Sequence, residues 1–326
     1  MDSEKTCSQA DCYPEDVGCQ LGDQPERCEH FAGNSATANI DSVITFTESA
    51  RGRVLPWSGS ALGATDLQFL AARAKPMIIA IVGPHNAGKT TLLSIWYFLL
   101  GRRPTLAEGR FRFAGSYTLQ GWEQIASPLR WTSSSGYRFP AHTPATADRV
   151  PGLLHLSFRD DAGRIKDFLF ADTPGEWFQH WAVDRDATDA AGAAWLGQRA
   201  DAFVLVADSE ALAGPLRGLA KQEFKLLASR LATERPGAPV ALVWTKADIA
   251  VPLAIRRDLM DAMVRYFPNF DEFSVGVKPG DTIPRDEIAA RFTSVIDWVV
   301  MYREPRGFVQ TTQTVDSDDL FFALGK

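Results

Sequence analysis

Residues 83–90 read Gly83-Pro84-His85-Asn86-Ala87-Gly88-Lys89-Thr90. They fit G-x-x-x-x-G-K-[ST], the pattern of a phosphate-binding loop. The flanks agree. Upstream lies the apolar run Met77-Ile78-Ile79-Ala80-Ile81-Val82, of the kind that forms a buried parallel strand. Downstream, Thr91 opens an apolar stretch to Leu100, long enough for a core helix. Strand, glycine loop and helix form the arrangement that phosphate binding needs. The glycines let backbone N–H groups turn inward, and the helix N-terminus adds its partial positive charge. Lys89 is expected to reach the β- and γ-phosphates of a nucleotide, and the Thr90 hydroxyl to hold Mg²⁺.

Working toward the C-terminus, residues 101–148 are rich in Gly, Ser, Thr and aromatics and read as one long loop. Thr143 and Thr146 are both candidates to close over Mg²⁺, with Thr146 preferred because it lies just before the next strand. A hairpin follows, Leu153 to Phe158 and Lys166 to Ala171, with Asp160-Asp161-Ala162-Gly163 as its turn. It runs into Asp172-Thr173-Pro174-Gly175. An aspartate at the carboxyl end of an apolar strand points into the crevice where such sheets bind ligands. Asp172 is therefore expected to hold Mg²⁺ through water, and the Gly175 N–H to sense the γ-phosphate.

Two more apolar strands follow, Ala202 to Ala207 and Pro239 to Trp244. The second ends in Thr245-Lys246-Ala247-Asp248. A carboxylate at Asp248 can accept from both N1–H and the exocyclic amine of guanine, donors that adenine lacks. A site built on that contact rejects the wrong base. The Lys246 stem is expected along the base plane. Phe273-Ser274-Val275-Gly276-Val277 is placed to give a last strand, with Ser274 near the base, although the usual Ser-Ala-Lys triplet is absent. The phosphate loop as a whole, with Thr91, completes the expected nucleotide-binding set. Guanine is favoured over adenine, which speaks against an ATP-dependent kinase or ATPase.

The chain has 326 residues, 45% hydrophobic and 23% charged, with net charge −6. That suits an ordinary folded protein and leaves no global basic footprint for nucleic acid. An acidic, polar N-terminus and the lack of a ~20-residue apolar run point to a cytoplasmic protein without a membrane helix. All four cysteines, Cys7, Cys12, Cys19 and Cys28, lie near the N-terminus. Four thiolates around one Zn²⁺ would supply the folding free energy that this polar segment lacks, with His30 able to replace one of them. Free thiols or two disulfides are the alternatives. The organisation expected is a zinc-binding head over 1–33, a bridge over 34–75, an α/β domain over 76–303 and a tail over 304–326. The acidic and aromatic tail either docks into a partner's groove or packs back on the domain.

This ordered set of motifs resembles the translation-factor-like class of P-loop GTPases, over about residues 75–303. The resemblance implies a Ras-like α/β domain, a mainly parallel sheet with helices on both faces, GTP and GDP binding, Mg²⁺ and two switch loops. Residues 101–148 would then carry the first switch. Lys89, Gly175 and Glu176 would carry the chemistry. Asn86 is similar to the residue that holds K⁺ in the potassium-activated branch. The cysteine-rich head and the Ala171-Asp172-Thr173-Pro174-Gly175-Glu176-Trp177-Phe178 segment look more like the bacterial double-GTPase proteins. Such a protein would be a slow switch acting on a protein effector, with a partner GTPase or a membrane-associated component as candidates. The competing reading is a zinc-containing RNA- or protein-binding module that the nucleotide merely stabilises. Glu176 departs from the class, which places glutamine there, and a carboxylate beside a γ-phosphate is repelled. Neither Arg149 nor Arg185 can be assigned as a catalytic finger from sequence.

Overall fold

The computed structural model describes residues 61–63, 66–72, 74–130, 152–277 and 285–301. A short helix, α1 (Leu67–Ala71), leads into β1 (Met77–Val82). The loop at 83–88 then feeds α2 (Lys89–Arg102). Next come β2 (Thr105–Leu106), β3 (Phe111–Gly115) and α3 (Leu119–Ala126), then the hairpin β4 (Leu153–Asp160) and β5 (Ile165–Ala171). Two helices follow, α4 (Gly175–Val183) and α5 (Ala191–Arg199), before β6 (Ala202–Asp208), α6 (Ser209–Ala213) and α7 (Arg217–Glu234). The chain closes through β7 (Val240–Thr245), α8 (Leu253–Tyr266), β8 (Phe270–Ser274) and α9 (Arg285–Met301).

These eight strands form one mixed sheet in the order β2-β3-β4-β5-β1-β6-β7-β8. The run from β5 through β1 to β8 is parallel, and the β2-β3-β4-β5 pairings are antiparallel. The expected α/β architecture, mainly parallel with helices on both faces, is present. β6 and β7 are buried along their whole length because both faces are covered, so their sequences show no alternation. Along β1 the side chains divide between two cores. Ile79 and Ile81 pack with Leu93 and Trp96 of α2, Trp122 of α3 and Ile296 of α9. Ile78, Ala80 and Val82 face the helices α4, α5, α7 and α8. Strand order reverses at β1, with β5 on one side and β6 on the other. Ligands of such sheets bind at that reversal, beyond the carboxyl ends of the strands.

Residues 105–129 correct the expectation of one long loop. Phe111 and Phe113 alternate with the exposed Arg112 and Ala114 on β3, and Trp122 of α3 is buried against Tyr97 and Phe170. The segment widens the sheet beyond β4, while residues 131–151 lie outside the described part. Its Ser116-Tyr117-Thr118 turn also lids the other face of the hairpin. There His155, Ser157 and Asp167 are all buried. Tyr117 N–H donates to His155 Nδ1 at 3.0 Å, so the opposite nitrogen, 3.0 Å from Asp167 Oδ1, carries the ring proton. Ser157 donates to the same Asp167 oxygen.

Helix α4 is wedged against α5 by two tryptophans. A Cβ on Gly192 would fall 2.3 Å from the Trp177 ring, and one on Gly197 would fall 2.4 Å from the Trp181 ring. Only hydrogen fits at either place. Gly192→Ala is expected to destabilise the fold by about 1–3 kcal/mol through overpacking. A thermal-unfolding midpoint equal to that of the wild type would show that the Trp177 ring finds room elsewhere.

Candidate phosphate- and base-binding site

The loop between β1 and α2 turns through left-handed backbone at Asn86 (φ 58°) and Gly88 (φ 85°). Glycine adopts this conformation freely, and asparagine is among the side chains that tolerate it. The residue type at Asn86 is thus accounted for by backbone geometry. The loop is tied from behind. Thr245 Oγ1 donates to Ala87 O at 2.8 Å, and a Cβ on Gly83 would lie 3.0 Å from Val206 Cβ on β6.

Lys89 is buried, and its Nζ donates to Gly83 O at 3.0 Å and to Pro84 O at 2.8 Å. An ammonium has three donors, so one is left by these two bonds. Burial brings its pKa down to about 8, against the opposing pull of Asp172 and Glu176. One residue on, Thr90 Oγ1 donates to Asp172 Oδ1 at 3.0 Å. Ala80 pairs with Ala171 across β1 and β5, which sets Asp172 beside the start of the loop. Thr90 and Asp172 together offer two hard oxygen donors of the kind that Mg²⁺ takes.

Gly175 begins α4 directly against the loop. A Cβ there would lie 2.3 Å from His85 N and 2.5 Å from Pro84 C. Glu176 Oε1 is 2.5 Å from His85 Nδ1. Partial burial works against the Glu176 carboxylate, yet its own backbone N–H, His85 and Lys89 hold its pKa below the ordinary glutamate value.

At the other end of the loop lies a cavity of about 250 Å³. Its lining includes Asn86, Gly88, Thr91, Thr245, Lys246 and Asp248, with Phe292 from α9. The Lys246 backbone is also left-handed (φ 50°), and its Nζ is held 2.8 Å from both Asp208 Oδ2 and Glu210 Oε2. Burial alone would lower the Lys246 pKa, but the two carboxylates outweigh it and keep the ammonium charged. Tethered at its tip, the Lys246 stem spans the cavity as a flat apolar wall. The Val275-Gly276-Val277 turn lines the cavity too, fixed by the Ala247 N–H bond to Val275 O at 3.0 Å. A Cβ on Gly276 would crowd this wall, 2.9 Å from Asp248 Oδ1 and 3.2 Å from Asp248 N. A larger depression, about 480 Å³, lies at the outer edge of the sheet by the β4–β5 turn, where Arg164 and Asp160 pair; no motif residue lines it.

Most expected residues therefore meet at one edge of the sheet. Ser274 ends β8 opposite Trp244, and the cavity wall is built from the three residues after it. Arg185 is committed to Glu234, at the end of α4 away from the loop. Thr143, Thr146, Arg149 and the cysteines Cys7, Cys12, Cys19 and Cys28 lie outside the described residues. Among the described residues, no group of three or more His, Cys, Asp or Glu side chains is placed to hold a metal. No described helix is long and apolar enough to cross a membrane. Sequence reasoning missed Asp208 and Glu210, although an aspartate ending a buried strand and capping a helix is a readable signal. It also missed the contact between His85 and Glu176, for which spacing gives no cue.

A family model described as Double-GTPase 2 matches residues 77–296, from the first residue of β1 into α9. No curated protein matches the chain. Among solved structures it is similar to that of Methanosarcina barkeri Roco2 RocCORdC bound to GDP, at 15% identity and a TM-score of 0.35. That match covers 69% of this chain and 49% of the other, so the chain spans about half the length of the protein it matches. At that score the likeness adds nothing to the architecture described above.

Proposed function

This chain belongs to the Double-GTPase 2 family, and from that premise and the geometry of its loop and cavity we propose that it binds GTP, hydrolyses it slowly to GDP, and acts through a protein partner that distinguishes the two forms. The observation that carries the reading is the base cavity. Asp248 stands at one wall with Gly276 cut away to admit it, and the tethered Lys246 stem forms another. That pairing suits a planar base with two adjacent N–H donors, which guanine has and adenine lacks.

At the phosphate end, the loop N–H groups and the remaining Lys89 donor would take the β- and γ-phosphates. Thr90 and Asp172 fit Mg²⁺, the second of them through water, with the rest of the shell left to phosphate and water oxygens. Bound there, the ion would offset charge on the phosphate oxygens. In hydrolysis a water oxygen bonds to the γ-phosphorus while the bridging P–O bond to the β-phosphate breaks and its electron pair leaves with GDP. Gly175, pressed against the loop at the head of α4, is placed to register loss of the γ-phosphate. No arginine can be assigned among the described residues to the developing charge, which is why turnover by the isolated protein is expected to be slow. Such fingers contribute roughly 10³–10⁵-fold where they act.

Binding of GTP and ATP, with single-turnover hydrolysis, tests the reading. GTP should bind and turn over, ATP should do neither, and Lys89→Ala should weaken GTP binding by roughly 10- to 100-fold, since a charge-assisted bond is lost. Equal affinity for ATP and GTP would remove the guanine assignment.

A further inference from the structure

Glu176 follows Gly175 at the point where the resembled class carries a glutamine, and a bare carboxylate there would be repelled by the γ-phosphate. In this fold the carboxylate is not bare. It is engaged by His85, a residue of the phosphate loop itself, at 2.5 Å. The backbone brings the two residues together, because Gly175 packs so closely on His85 N that no side chain fits between them. Lys89 lies near enough for Glu176 to raise its pKa. Three groups from two segments thus converge on the end of the loop where the γ-phosphate must sit.

We propose that His85 and Glu176 form the water-positioning pair for GTP turnover, with Glu176 touching the attacking water and His85 acting through Glu176 as a positioning residue. This rests on the hydrolysis reading above. The His85 N–H donates to one Glu176 oxygen, fixing its rotamer and drawing off charge that would repel the phosphate. The other oxygen accepts a hydrogen bond from the water. As the water oxygen bonds to the γ-phosphorus and the β–γ bridge breaks, the water's proton passes to the Glu176 carboxylate, and the products are GDP and phosphate. A carboxylate can do what an amide does at this position only if its charge is managed, and His85 manages it.

The test is a double-substitution cycle on the full chain, measuring GTP affinity, single-turnover rate and thermal midpoint. The variants are Glu176→Ala, His85→Ala, the pair together, and His85→Gln, whose amide can still donate to Glu176. Glu176→Ala should lower the rate about 100-fold, the lower range for a positioned acid or base. His85→Ala should lower it by roughly tenfold or more, in line with a partner that acts only through another group. The double variant should be no slower than Glu176→Ala alone, because residues acting as a unit are not additive. His85→Gln should recover part of the loss, and in every variant the fall in rate should exceed any change in GTP affinity. Losses that multiply, an unchanged rate in either single variant, or a loss confined to affinity would each overturn the pair. So would a wild-type protein that binds GTP and never turns it over. A protein that binds no GTP would instead remove the functional reading beneath it. Should an alanine variant melt early, the His85→Gln rate against wild type decides, and a rate below that of Glu176→Ala overturns the pair.

Discussion

Asp248→Asn is expected to exchange the preferred base from guanine to xanthine. The substitution is isosteric, so the tight approach of Gly276 to the Asp248 carboxylate is preserved. What changes is hydrogen-bond polarity. The carboxylate accepts from two N–H groups, whereas an amide offers one acceptor and one donor. Guanine would then set its 2-amino group against an N–H donor, leaving both without partners in a cavity closed by Lys246 and the Val275–Val277 turn. Sites that hydrogen-bond a ligand discriminate against the mispaired analogue by 10⁴-fold or more at best. With this cavity open to solvent on one side, a loss of roughly 100-fold in GTP affinity is expected. Xanthosine triphosphate, with a carbonyl in place of the amine, should bind the variant and not the wild type. Competition against a fluorescent nucleotide measures both. An Asp248→Asn protein that still prefers GTP would mean that Asp248 does not contact the base.

Gly175→Ala is the second large effect. The added methyl would sit 2.3–2.6 Å from His85 N, Pro84 C and His85 Cα, all of them backbone atoms of the phosphate loop. None of these can swing aside as a side chain could. Either α4 withdraws or the loop deforms, and each moves Glu176 away from the γ-phosphate end. A displacement of about 1 Å in a reacting group lowers rates by about 100-fold, and that is the loss expected in GTP turnover. GDP affinity should change far less, because Asp248, Lys246 and Thr245 lie at the other end of the loop. Single-turnover rates beside GDP titration separate the two. Equal losses in both would show instead that the loop as a whole had collapsed.

The central fold was legible because its strands are buried on both faces. β1 is apolar throughout, and β6 and β7 are apolar up to their last residues, Asp208 and Thr245, so their identity does not depend on periodicity. Each motif falls at the carboxyl end of such a strand, which is why reading order alone placed Lys89, Asp172 and Asp248 at a single edge. The outer sheet was hidden for the opposite reason. The alternation on β3 lasts five residues and sits among Gly, Ser and Thr that read as loop. On β4, His155 and Ser157 look like the wet side of a hairpin, and only the distant turn at 116–118 makes them interior. The same limit concealed the chemistry. His85 and Glu176 meet because β1 and β5 are neighbours in the sheet, and Lys246 is held by Asp208 at the end of the next strand over and Glu210 in the helix after it. Such meetings follow from topology and leave no trace in local spacing.

The two tryptophan wedges between α4 and α5 bear on how the proposed switch would signal its phosphate state. Melting α4 would strip Trp177 and Trp181 of their seats on Gly192 and Gly197, and each large buried ring is worth about 1.5–3 kcal/mol on burial alone. An unwound α4 is therefore a rare species, whatever the nucleotide. A pair of helices interlocked in this way would move as one stiff body. On the proposed reading, its output would be an angle at Gln198 and Arg199 on the exposed end of α5, and a partner for it would have to match a tilted surface and not a loosened strand of chain.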